Sequence, residues 1–266
     1  MSWITARRRH PAAGYAVVLL GLVSVGTVYA AATQSASAAT ATPAPGSPQA
    51  LAIGRNLFIT TCSSCHGNFG QGTDAGPSLI GVGAAAVDFQ VSTGRMPAKE
   101  ATAEMDRKPP VFNEQQTHDI AAYVESLGGG PPIPPAADVS TNGANVALGQ
   151  NLFITNCSQC HNFSGAGGAL TYGKYAPALD QSTPTQIAEA MQTGPEAMPN
   201  FSMLTTAQQR DIIAYITKVR SEPNPGGFSL GRVGPVTEGI VGFLGGVGAL
   251  VFAAMWITAG RRGSKA

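Results

Sequence analysis

Two long stretches without a charged side chain bracket the chain, residues 11–33 and residues 239–259. As a helix rising 1.5 Å per residue, the second would reach about 32 Å, enough to cross a hydrocarbon core of about 30 Å. Between them the apolar positions fall at helical spacing instead. Ile120, Tyr123, Val124 and Leu127 stand at i, i+3, i+4 and i+7, and Ile212, Tyr215, Ile216 and Val219 repeat that stripe. The pattern predicts helices over about residues 113–127 and 206–220, with Asn113 as N-cap, Gly128 just past the first and Pro223 stopping the second. A stripe of this kind is by itself ordinary core packing.

The chain also repeats itself. Gly54-Arg55-Asn56-Leu57-Phe58-Ile59-Thr60-Thr61-Cys62 matches Gly149-Gln150-Asn151-Leu152-Phe153-Ile154-Thr155-Asn156-Cys157 at an offset of 95 residues. Downstream, Asp119-Ile120-Ala121-Ala122-Tyr123-Val124 matches Asp211-Ile212-Ile213-Ala214-Tyr215-Ile216 at an offset of 92. A period this long marks a duplicated domain rather than a solenoid unit. Each copy predicts a first helix, a short middle helix ending near Gly94 or Gly194, and the striped last helix, so the fold class is all-α. The expected divisions are 1–33 (anchor or signal segment), 34–50 (flexible tether), 51–128 and 138–222 (the two copies), 129–137 and 223–238 (linkers), 239–259 (transmembrane helix) and 260–266 (basic tail). The Gly128–Pro135 run, Gly-Gly-Gly-Pro-Pro-Ile-Pro-Pro, reads as a hinge followed by a stiff spacer.

Charge adds orientation. Only 12% of residues are Asp, Glu, Lys or Arg, about half the usual share, and no basic face suited to nucleic acid emerges. Residues 1–49 carry +3, residues 50–225 carry −5 and residues 226–266 carry +3. Arg7, Arg8 and Arg9 precede the first apolar run; Arg261, Arg262 and Lys265 follow the second. The positive-inside rule then puts both termini in the cytoplasm and the repeats on the outer face of the cell membrane. The first run is longer than a usual signal core and reads as a retained anchor, although Ala30-Ala31-Ala32 and Ala36-Ser37-Ala38 would suit a signal peptidase. Gly242 and Gly246 give the second run a small-xxx-small face.

All four cysteines fall in two motifs, Cys62-Ser63-Ser64-Cys65-His66 and Cys157-Ser158-Gln159-Cys160-His161. C-x-x-C-H is the attachment signature of c-type haem. Two thiols at this spacing can each form a thioether to a porphyrin vinyl group, and the adjacent imidazole becomes an axial ligand. A thiol–disulfide motif or half of a zinc site would also use Cys-x-x-Cys. Two copies in matching contexts favour haem; zinc would need the pairs to meet in one site with both histidines idle.

With these motifs the repeats resemble class I cytochromes c. In that family the first and last helices cross at a glycine beside aromatics, which Gly54, Phe58 and Tyr123 match in one copy and Gly149, Phe153 and Tyr215 in the other. The resemblance implies that Pro77 of Pro77-Ser78-Leu79 and Pro177 of Pro177-Ala178-Leu179 accept the imidazole Nδ1–H. It also implies a methionine as the second axial ligand: Met96-Pro97 and Met198-Pro199 fit, with Met105 a rival in the first copy and Met191 and Met203 in the second. An insertion at residues 98–110, absent from the second copy, makes Met96 the less certain of the two. The whole arrangement, tandem domains between an N-terminal hydrophobic segment and one C-terminal membrane helix, resembles the dihaem cytochrome c subunit of the actinobacterial cytochrome bcc (quinol–cytochrome c reductase) complex. That resemblance implies two covalent haem c groups, Rieske iron–sulfur and cytochrome b subunits and a haem–copper oxidase as partners, and electron relay without substrate chemistry on this chain. The alternatives are a dihaem donor to another membrane oxidoreductase, a dihaem peroxidase with one open iron, and a thiol–disulfide oxidoreductase.

Overall fold

The computed structural model describes residues 13–37, 44, 46–100, 102, 104–223 and 235–263. Arg7, Arg8, Arg9, Ala38 and Lys265, on which parts of the topology and signal readings rest, lie outside the described residues. The chain divides into two compact units, residues 1–50 and 51–266.

The first unit holds helix α1, Ala13–Ser37, and the second ends in helix α11, Pro235–Gly263. Both contain a stretch long and apolar enough to cross a membrane, Ala13–Ala31 and Gly239–Ala259. Their leucines, valines and aromatics are exposed, as side chains are when lipid rather than protein is their solvent. A Cβ added at Gly242 or Gly246 would meet nothing within 4 Å, so the small-residue face of α11 is open.

The first repeat is built from α2 (Pro48–Thr61), α3 (Ser63–His66), α4 (Gly83–Ser92) and α5 (Glu114–Ser126). The second follows the same order with α7 (Val146–Asn156), α8 (Ser158–His161), α9 (Pro184–Thr193) and α10 (Thr206–Ser221), preceded by one turn, α6 (Ala136–Val139). An unforeseen two-stranded antiparallel hairpin, β1 (Gly168–Ala169) and β2 (Tyr175–Ala176), pairs Gly168 with Ala176 and Ala169 with Tyr175.

Local chemistry sets the helix ends. Asn113, Thr183 and Thr205 each accept from the backbone N–H three residues on, and Gln116, Gln186 and Gln208 reach back to complete capping boxes. Gly94 and Gly194 follow α4 and α9 with φ of 70° and 60°, a left-handed turn that side chains with a Cβ resist.

First and last helices cross at the glycines that the resemblance implies. A Cβ on Gly54 would lie 1.9 Å from the Asp119 carbonyl oxygen, and one on Gly149 would lie 1.9 Å from that of Asp211. Beside each crossing an aromatic pair packs tilted with ring centroids 5.3 Å apart, Phe58 on Tyr123 and Phe153 on Tyr215. Phe58 and Phe153 are fully buried and centre two separate cores, one per repeat.

The segment expected as hinge and spacer is instead docked. Ala85 N–H donates to the Pro131 carbonyl at 3.0 Å, and Ile133 packs on the first core. Backbone bonding and apolar burial therefore hold the linker along α4. The insertion at residues 98–110 likewise leaves its own repeat to bind the other, as described next.

Candidate haem sites

Each Cys-x-x-Cys-His motif begins at the last turn of its repeat's first helix and is wound into a short helix. Cys62 N–H donates to Phe58 O and His66 N–H to Cys62 O; Cys157 and His161 repeat these bonds on Phe153 and Cys157. This places both thiols and the imidazole of each motif on the wall of one cleft.

The imidazoles are held the same way. His66 Nδ1 lies 2.8 Å from the Pro77 carbonyl and His161 Nδ1 lies 2.9 Å from that of Pro177. A carbonyl can only accept, so Nδ1 carries the proton and Nε2 keeps its lone pair. Among the described residues Nε2 of neither ring has a hydrogen-bond partner, and both rings are buried. Burial pushes the His161 pKa down, against the opposing pull of its Pro177 bond, so this ring stays neutral as a metal ligand must.

Cys62 and Cys157 are poor thiolates. Burial, and secondarily the neighbouring Cys65, pushes the Cys62 thiol up to about 11; burial and Cys160 do the same to Cys157, also to about 11. A thiol–disulfide nucleophile needs the opposite shift. The two pairs also line separate clefts, so they do not assemble one zinc site.

The methionines sort by position. Met96 packs against the first core, and Met105 lines the same cleft from the insertion. The Thr102 hydroxyl, 3.3 Å from the Met105 Sδ, donates to the nearer Glu104 carbonyl, and the Met105 N–H donates to Glu196 of the second repeat. In the second repeat Met198 lines the cleft and packs on the core, as does the fully buried Met191 of α9. Met203 is 73% exposed and stands outside the cleft.

Both clefts suit a porphyrin in their lining: they are open to solvent and walled mainly by apolar side chains. Each presents two thiols, an imidazole with a free ring nitrogen and a thioether, the donor set of covalent haem.

Comparison with known proteins agrees with this geometry. Residues 51–128 match the family model described as cytochrome c, and residues 144–216 match that described as cytochrome c oxidase, cbb3-type, subunit III. A curated relative from Corynebacterium diphtheriae, the cytochrome bc1 complex cytochrome c subunit, is 46% identical over 96% of this chain and 96% of its own length. Proteins of the same description from Mycobacterium leprae (48% identical, covering 79% of this chain and 75% of theirs) and Mycobacterium tuberculosis (44%, covering 95% and 92%) are similarly related. The chain belongs to the family of cytochrome bc1 complex cytochrome c subunits. Its repeats are cytochrome c domains and bind haem c, and its two apolar helices fit a membrane location.

The clefts differ in a way the motifs do not announce. Every residue lining the first comes from the first repeat, whereas Phe89, Arg95 and Glu104 of the first repeat line the second. Helix α4 packs on α9, where Gln186 Nε2 donates to Ser92 Oγ at 3.0 Å. The insertion fastens this contact. Arg107 donates to the Gln181 carbonyl and to Gln186 Oε1, Tyr175 N–H donates to Glu104, and Tyr175 O–H donates to Asp106 at 2.5 Å. Bonds between residues some seventy or more positions apart leave no trace in periodicity. The remaining signal was the insertion itself, present in one copy only.

Proposed function

We propose that this chain is the membrane-tethered dihaem electron relay of a quinol–cytochrome c reductase of the translocase type, passing electrons from the Rieske iron–sulfur and cytochrome b subunits to a haem–copper oxidase. The observation that carries this reading is the matched pair of clefts, each with its own Cys-x-x-Cys-His and thioether, in a chain alike over nearly its whole length to subunits named for the bc1 complex.

Cys62 and Cys65 would bind one haem c covalently, and Cys157 and Cys160 a second. His66 and His161 would hold the irons from one side, with Pro77 and Pro177 fixing the ring orientation. Met96 and Met198 would supply the other side. The group, when bound, contributes one-electron exchange at iron; the chain contributes thioether anchors, a fixed imidazole tautomer and an apolar wall that limits water. A histidine and a methionine holding each iron would leave no position for a substrate, which would separate this role from a peroxidase.

The boundaries 51–128 and 138–222 delimit the two haem domains in this reading. Residues 1–33 anchor the chain or guide its export, and helix 239–259 anchors it. Both termini lie in the cytoplasm and the haem domains on the outer face, where tethering replaces diffusion of a soluble carrier.

The purified complex should reduce oxygen from quinol without added cytochrome c; an absolute need for an added carrier counts against the oxidase as direct partner. Haem stoichiometry by pyridine haemochrome should give two per chain, halved in a Cys157→Ala/Cys160→Ala protein. The match of residues 144–216 to an oxidase-subunit model supports a second reading, a dihaem donor belonging to the oxidase itself. Copurification of cytochrome b and Rieske subunits distinguishes the two.

A further inference from the structure

Arg95 stands out. It is 7% exposed, its guanidinium lies 5.0 Å from the Phe89 ring centroid, and its Nη1 is buried without a hydrogen-bond partner. No carboxylate of the described residues forms an ion pair with it. A buried charged nitrogen left in this state is unfavourable unless a group outside the chain answers it.

Its position says what that something is. Arg95 belongs to the first repeat, next to Met96, yet it lines the cleft of the second. Among the described residues it is the only arginine or lysine in that lining, which also includes the carboxylates Glu104 and Glu196. Among the described residues the lining of the first cleft includes no arginine or lysine, but does include Asp74 and Glu100. Haem carries two carboxylates of its own, its propionates, and an arginine pairs with a carboxylate through charge-assisted hydrogen bonds.

We propose that Arg95 completes the haem site of the neighbouring domain, pairing with a propionate of the second haem, and that this borrowed charge makes the second haem easier to reduce than it would be in an isolated domain. The proposal rests on the dihaem reading above. Its physics is simple: a cation beside a haem disfavours the extra positive charge of ferric iron, so it favours the reduced state. The first cleft gains no such cation. The difference biases electrons toward the second domain and gives the relay a direction. Arg95 is thus a positioning and tuning residue for a group it does not ligate.

The test is a redox titration of the purified complex carrying the full chain. The wave lost from the Cys157→Ala/Cys160→Ala protein identifies the second haem. Arg95→Gln should move that wave to more negative potential and leave the other in place. The equilibrium constant for electron transfer from first haem to second should fall about tenfold or more, the size expected for losing a hydrogen bond to a charged group. Arg95→Lys should restore part of the shift, and resonance Raman should show altered propionate bending for one haem only. Unchanged potentials with two haems still bound would overturn the proposal, as would a shift confined to the first haem. Should Arg95→Gln fail to assemble, the neutral Arg95→Met decides alone: a shift of the second haem's wave to more negative potential supports the pairing and no shift refutes it. A wild-type complex without haem would sink the dihaem reading instead, a distinct outcome.

Discussion

At the residue scale, the two sites depend on groups whose partners are few and fixed. The proline carbonyls hold Nδ1 of both imidazoles at nearly one distance, 2.8 and 2.9 Å, which leaves each Nε2 as the available donor. Of the candidate sulfur ligands, Met105 sits on the insertion with its backbone tied to Glu196, whereas Met96 packs on the core. A Met96→Ala protein should therefore lose the weak near-infrared sulfur–iron band of one haem, and Met105→Ala should keep it. The reverse result would reassign the ligand. Glu189 poses a different problem. It is fully buried, neither oxygen meets a donor, and burial followed by the nearby Asp88 pushes its pKa up from 4.5 to about 10. A proton kept on Glu189 turns two facing acceptors into a donor and an acceptor. Because the folded pKa exceeds the unfolded one, the folded state binds more protons between those values. Stability from this group is greatest below pH 4.5 and declines as pH rises toward 10. Glu189→Gln should flatten that decline in thermal unfolding measured across the window. An identical slope in both proteins would mean the carboxyl is ionised and otherwise compensated.

Elements hold these residues through a few close approaches. The crossing of α2 on α5 at Gly54, and of α7 on α10 at Gly149, leaves no room for a methyl group against a backbone carbonyl. Gly149→Ala should lower the stability of the second domain by about 1–3 kcal/mol or prevent its folding, read as a fall in the thermal midpoint of the haem-bound protein. A variant as stable as the parent would show that the helices can separate without loss. These crossings were legible through the resemblance to class I cytochromes c, because the glycine and aromatic that carry it are local to each helix. The Cys-x-x-Cys-His motifs and helix ends were legible for the same reason: their chemistry is local. The hairpin β1–β2 was not, since two-residue strands offer no alternation to read. The linker was misread as a hinge because its Gly-Pro composition reports the freedom of the isolated chain, whereas Pro131 and Ile133 are held by partners far along the sequence.

At the scale of the second compact unit, its two repeats are one assembly rather than beads on a string. Arg107 reaches two partners on the second repeat, and Glu104, Asp106 and Met105 reach others. Arg107→Ala should speed amide hydrogen exchange in α4 and α9 while both haems stay bound. Unaltered exchange would place the main adhesion in the α4–α9 packing alone. The duplication was visible in the sequence, but its fusion into one body was not, because side chains that join copies need match nothing within either copy.

The wall that Phe89, Arg95 and Glu104 lend to the second cleft has a consequence for how this protein can be taken apart. Cutting between the repeats would give a front half with its pocket intact and a rear half missing part of its lining. The rear piece should therefore stain weakly for covalent porphyrin when made by itself and recover when the front piece is supplied in trans. In a chain of this design the two copies are unequal: one cleft is walled by its own repeat, and the other takes part of its wall from its neighbour.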